Sequence, residues 1–204
     1  MSPALLIIDV QRAIDDPSWG NDRNNPDAEQ NIRRLLEDWR ARAWPVFHVR
    51  HASVEPNSTY RPGQPGFDFK DEVMPLDGER VIEKKTNSAF IGTSLLDELR
   101  AANIARVVIV GVITNNSVEA TARMSGNLGF ETFVVADATA TFGRADYDGQ
   151  WRTSQEVHAL SLANLSGEYA TIVTTEVALE SSLLGADAPE SVLPVGHESD
   201  GHAP

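Results

Sequence analysis

Between residues 4 and 175 the chain repeats one unit, a short continuous apolar run followed by a longer segment with helical spacing. ALLIIDV (4–10), the WPVFHVR run (44–50), RVVIVGV (106–112), ETFVVADA (131–138) and YATIVTT (169–175) are the runs, and VIEK (81–84) is a short strand among them. A strand buried on both faces has no solvent side to alternate with, so it reads as unbroken hydrophobicity. Between the runs lie helical segments at 27–43, 93–102, 116–128 and 151–166. In the first of them Ile32, Leu35, Leu36 and Trp39 are spaced three and four apart, which makes one apolar stripe. Strands alternating with helices predict an α/β fold with right-handed crossovers. The expectation is a three-layer, Rossmann-like, doubly wound and mostly parallel sheet with helices on both faces. Pro45 stands at the start of its strand, where a missing N–H costs least.

One interval breaks the alternation. Residues 52–79 contain Pro56, Pro62, Gly63, Pro65, Gly66 and Pro75, too much punctuation for regular structure. Long loops inside compact domains commonly carry function. Residues 184–204 are rich in Pro, Gly, Asp and Glu and show no period. The expected organisation is a single domain over 1–183 followed by a polar tail over 184–204.

Charge and cysteine content exclude several functions. A formal net charge of -13 opposes nucleic acid, whose phosphates draw affinity from clustered Lys and Arg, and opposes an anionic membrane surface for the same reason. No apolar run approaches the roughly 18 residues that span a bilayer, and MSPALLIIDVQ has neither a basic leader nor a small-residue cleavage site. A cytoplasmic protein is expected. Cysteine is absent, so disulfides, thiolate metal sites and thiol nucleophiles are excluded from this sequence. The glycines form neither GxGxxG nor a Gly-Lys-Ser/Thr ending, which removes the common phosphate loops.

Sites in open parallel sheets lie at the carboxyl ends of strands. That rule selects Asp9, Lys84, the 113–117 turn and Asp137. Each also has an ordinary structural explanation. Asp9 could cap a loop, although an acid closing an all-apolar strand is costly unless paired or solvated. Lys84 lies in EKK, where lysine is commonly a solvated surface group. Ser117 could cap the helix that follows, with Asn115 and Asn116 as rival caps and no capping box. Asp137 suits a loop cap. His48, His51 and His158 are too scattered for a metal site, and a packed role is the ordinary one for each.

The combination of motifs is more specific than any one of them. ALLIIDVQ, VIEKKTNSAFIGTSL and GVITNNSVEATARMSGNLGFETFVVADATATF, in that order, resemble the isochorismatase-like hydrolase superfamily, also called the cysteine hydrolase family. The resemblance spans about residues 3–179. It implies a catalytic triad of Asp9, Lys84 and the residue at 117, where the family's cysteine is replaced here by Ser117. It also implies a cis peptide at Val112–Ile113, with the backbone N–H groups of Ile113 and Ser117 aimed into an oxyanion hole. A helix N-terminus beside them would favour developing negative charge. Candidate substrate-binding residues are Gln11, Tyr60, Arg61, Phe67 and Thr114, with Phe69 beside them. Arg61 would suit a carboxylate. Relatives that hold a metal do so through an Asp-x-His absent here, so no metal and no cofactor are expected. The resemblance further implies a small-molecule substrate and a homo-oligomer, dimer or tetramer.

Serine changes the chemistry. In amidase members a thiolate attacks a carboxamide carbon, and a thiol of pKa about 8.5 is readily ionised by a neighbouring Lys and a helix N-terminus. A hydroxyl is far less acidic, and Asp9 is a weak base for it without a histidine relay. Three readings stay open: hydrolysis driven by Asp9 as an acid with no covalent nucleophile, an amide hydrolase whose Cys has been replaced by Ser117, and a catalytically silent ligand-binding protein on the same scaffold.

Overall fold

The structure is a computed structural model that describes residues 2–180. Six strands form one parallel sheet: β1 (Ala4–Ile8), β2 (Val46–His51), β3 (Arg80–Lys84), β4 (Arg106–Val112), β5 (Glu131–Ala140) and, after a two-stranded hairpin, β8 (Thr171–Val173). Their spatial order is β3-β2-β1-β4-β5-β8, so the chain winds outward from β1 in one direction and then in the other. The helices are α1 (Ala28–Ala41), α2 (Leu95–Ala101), α3 (Glu119–Asn127), α4 (Ser154–Leu165) and α5 (Thr175–Leu179).

Strand alternation sends successive side chains to opposite faces, and β1 uses both. Leu6 and Ile8 pack with Leu95 and Leu99 of α2, Ala122 of α3 and Leu162 and Leu165 of α4. Leu5 and Ile7 pack with Ile32, Leu35, Leu36 and Trp39 of α1 and Ala178 of α5. All five residues of β1 are buried, which is why its sequence shows no polar alternation. Three layers result, as the periodicity predicts.

The elements differ from expectation at three places. The helix expected over 116–128 begins as a π-helical turn, Thr114–Val118, and becomes regular only in α3. The helix expected over 151–166 starts at Ser154. Trp151 and Arg152 instead form β7 (Trp151–Arg152), which pairs antiparallel with β6 (Arg144–Ala145). The true helix start carries a capping box, with the Thr153 hydroxyl accepting from the Glu156 amide and the Glu156 carboxylate accepting from the Thr153 amide. The strand expected over 169–175 shrinks to Thr171–Val173, because Thr174 caps α5 through the Val177 amide. The 52–79 interval holds only two 3-10 turns, Pro65–Phe67 and Asp71–Val73. The expected 184–204 tail lies outside the described residues.

The register brings the strand ends together. Ile8 pairs with Val49 of β2 and Gly111 of β4, and His51 pairs with Lys84. Asp9, His51, Lys84 and the 113–117 turn therefore stand side by side at the carboxyl edge of the sheet.

Candidate active site

Asp9 follows the last residue of β1 in a left-handed backbone conformation, φ 53°. Such a residue costs about 1 kcal/mol and persists where its surroundings over-determine it. Its amide donates to the Val49 carbonyl at 2.9 Å, and its carbonyl accepts from the Gln11 amide at 2.8 Å, which fixes the direction of the side chain. Gly111 makes room beside it. The backbone there has φ 121° at a bulge between β4 and β5, and a Cβ would overlap the Ile8 carbonyl oxygen.

Lys84 reaches the same point from β3. Ile82 and Lys84 of that strand turn inward while Glu83 and Lys85 are exposed, so alternation selects Lys84 over its neighbour. Its ammonium is 1% exposed at the residue level and donates three bonds: to Asp9 Oδ2 at 2.7 Å, to the Thr86 carbonyl at 3.1 Å and to Ser117 Oγ at 3.2 Å. Three donors and three acceptors leave the charge fully satisfied, as burial of an ammonium requires. Asp9 Oδ1, by contrast, is buried and has no hydrogen-bond partner among the described residues. Burial raises the Asp9 pKa above the ordinary carboxylate value. The Lys84 ammonium, then the Ser117 hydroxyl and His51, oppose that rise without cancelling it.

Ser117 lies in the π-helical turn and does not cap the helix; its hydroxyl is engaged by Lys84 instead. The peptide bond Val112–Ile113 is cis. Ile113 and Ser117 both line a cavity of about 180 Å³ together with Asp9, His51, Tyr60 and Trp19. A larger groove of about 860 Å³ opens at the amino ends of β2 and β3, lined by Trp44, Val46, Glu79 and Arg80. It holds none of the Asp9, Lys84 and Ser117 set, and the carboxyl-edge cavity is the candidate site.

The other residues singled out in the sequence separate into wall and frame. Tyr60 is a wall; its hydroxyl pKa is raised well above normal, first by burial and then by Asp9 and Asp15. Gln11 is frame. Its amide donates to the carbonyls of His51 and Phe67 and accepts from the His51 amide at 2.7 Å, tying β2 to the long loop. Thr114 is wholly buried and shares a 3.1 Å hydrogen bond with His158 Nδ1. The Phe67 ring lies under the Arg50 guanidinium at 4.4 Å, and Arg61 donates to the Pro56 carbonyl at 3.0 Å; neither lines the cavity. Phe69 is buried against the His48 ring at 5.8 Å. Asp137 accepts from the Thr175 amide and hydroxyl, the cap that its sequence context suggests.

Sequence reasoning did not place five of the walls, Trp19, His51, Ser58, Asn87 and Asn116. His51 stands at a strand end, the signal that selected Asp9 and Lys84, yet a packed role was favoured for it. Its ring lines the cavity with one edge toward Tyr60 at 5.8 Å, and burial followed by Lys84 lowers its pKa, which keeps the imidazole neutral at pH 7. Trp19 comes from a 3-10 turn, Pro17–Trp19, in a stretch with no period to mark it. No group of three or more His, Cys, Asp or Glu among the described residues could hold a metal ion.

The family model described as Isochorismatase domain matches residues 3–177. The uncharacterized isochorismatase family protein YrdC of Bacillus subtilis (strain 168) is 47% identical over 173 residues, 85% of this chain and 92% of its own. Nicotinamidase 3 of Arabidopsis thaliana is 29% identical, over 89% of each chain. A crystal structure of a hydrolase of the isochorismatase family from Chromobacterium violaceum superposes with a TM-score of 0.85 at 57% identity, covering 87% of this chain and 92% of that one. A parallel sheet wound outward from β1, an acid at the end of that strand and a lysine reaching it from β3 thus occur in a chain that belongs to the isochorismatase family and is one of its hydrolases.

Proposed function

We propose that the cavity hydrolyses a small organic vinyl ether, with Asp9 as the acid and no covalent bond to Ser117. The observation that supports this most directly is the division of labour between the two Asp9 oxygens. Oδ2 is held by Lys84 at 2.7 Å, while Oδ1 has no partner and is left for the substrate. In this reading Asp9 gives its proton to the terminal vinyl carbon, producing an oxocarbenium ion. Water adds to the substituted carbon and returns a proton to the Asp9 carboxylate. The resulting hemiketal breaks its C–O bond to give a ketone and an alcohol. Lys84 offsets the charge on Asp9 between those two proton transfers. The raised Asp9 pKa favours the acid form that starts the cycle.

Ser117 is poorly equipped as a nucleophile. Its Oγ accepts from an ammonium, and neither histidine in reach bonds to it: His158 is engaged by Thr114, and His51 shares the cavity wall without a hydrogen bond to Ser117. General acid catalysis contributes about 10²–10⁴-fold, which sets the size of the test. Ser117→Ala is expected to keep vinyl-ether turnover within about tenfold, and Asp9→Asn to lose at least about a hundredfold. The reverse pattern, loss with Ser117→Ala and survival with Asp9→Asn, would overturn the proposal.

Two observations support amide hydrolysis as a second reading. Ser117 Oγ lies 3.2 Å from Lys84 Nζ at the start of a helix, surroundings that would ionise a thiol at that position, and one relative is named a nicotinamidase. Assaying Ser117→Cys on small carboxamides by ammonia release decides it. Amide turnover gained with Cys and absent with Ser assigns the site to amide chemistry.

A further inference from the structure

Beside the Asp9 cavity lies a second concavity of about 450 Å³, and the two share Trp19, Ile113 and Asn116 in their walls. The second lobe continues past Phe142 to Arg144 at the start of β6. Its chemistry is one-sided. Trp19 and Phe142 stack with ring centres 5.4 Å apart and planes 24° apart, giving a flat apolar wall. Asn115 Oδ1 accepts from the Thr141 hydroxyl, and the same side chain carries two N–H donors. Arg144 is exposed and forms no salt bridge among the described residues, while its cross-strand neighbour Arg152 is neutralised by Asp146 at 2.6 Å.

Among the described residues no Asp or Glu lines the lobe, in a chain whose formal net charge is -13. The carboxylate behind it, Asp22, is engaged by the Ser154 hydroxyl at 2.6 Å and amide at 3.2 Å. A cation and amide donors beside a flat apolar wall, free of acids, match a planar organic carboxylate.

We propose that this lobe is a subsite for the carboxylate end of an elongated substrate, held by Arg144 and Asn115, with the bond to be cleaved placed in the Asp9 lobe. The inference rests on the Asp9 cavity being the reaction site. It replaces Arg61, which lies off the cavity, with Arg144 as the cation that selects the substrate.

The test is isothermal titration calorimetry with benzoate and its neutral analogue benzamide against the unmodified protein, Arg144→Gln, Arg144→Glu and Asp9→Asn. Benzoate is expected to bind the unmodified protein, to weaken at least tenfold in Arg144→Gln and to lose detectable binding in Arg144→Glu. Benzamide affinity is expected to stay within twofold across both Arg144 variants. No benzoate binding to the unmodified protein, or benzoate affinity unchanged by Arg144→Gln, overturns the subsite. Failure of the acid mechanism reads out separately, as vinyl-ether turnover that survives Asp9→Asn, and leaves the benzoate result standing.

Discussion

At the scale of single residues, the site depends on how Asp9 and Lys84 divide a buried charge. Removing one partner of a buried ion pair typically costs about 3–5 kcal/mol, because the other charge is left without compensation. Each residue is therefore part of the frame, and under the proposed mechanism a reagent as well. Burial raises the Asp9 pKa, so its carboxyl holds a proton to higher pH than an ordinary aspartate does. An acid catalyst is active while protonated, so kcat/KM for vinyl-ether hydrolysis is expected to fall as pH rises through that raised pKa. The descending limb, measured by steady-state rates from pH 4 to 9, should lie above the ordinary carboxylate range and vanish in Asp9→Asn. A rate that instead climbs with pH across the interval would assign Asp9 the role of base. His51 and Tyr60 take part as neutral walls, one with its pKa lowered by burial and the other with its pKa raised by it.

At the scale of elements, the position of Asp9 is set by the junction of β1 with β4. Gly111 is required there twice over, by its φ of 121° and by contact with the Ile8 backbone. Gly111→Ala is expected to destabilise the fold by about 3 kcal/mol or more in urea denaturation, since neither the backbone strain nor the overlap can relax without moving β1. A loss under 1 kcal/mol would show that β1 and β4 can separate at this end. The end of β1 was legible in the sequence because a continuous apolar run stops at Asp9, and the end of β3 because strand alternation turns Lys84 inward and Lys85 outward. The β6–β7 hairpin was not. Two residues per strand leave no period to detect, and Trp151 resembles the start of the α4 pattern until Thr153 and Glu156 are seen to close the capping box. Arg144 was missed for the same reason.

At the scale of the whole molecule, the charge of -13 makes the field around the protein repel anions, so a carboxylate ligand needs a local cation free of acidic neighbours. The second lobe supplies one. Among the described residues no helix is long and apolar enough to cross a membrane. We further propose a homo-oligomer; light scattering coupled to size exclusion is expected to give a mass at or above twice 22.2 kDa, and a clean monomer would remove the proposal.

The sequence by itself determined the layers and the parallel sheet, because burial on both faces is a local pattern that the residues cannot hide, while Asp9 and Lys84 were joined as a pair by the strand-end rule together with the motif resemblance. Tertiary structure alone decided which residues wall the cavity. His51 and Trp19 of the cavity and Arg144 of the adjoining lobe are set 32 to 125 positions apart, and only strand register and loop packing, which depend on contacts between distant segments, bring them to one edge while turning Arg61 and Phe67 away.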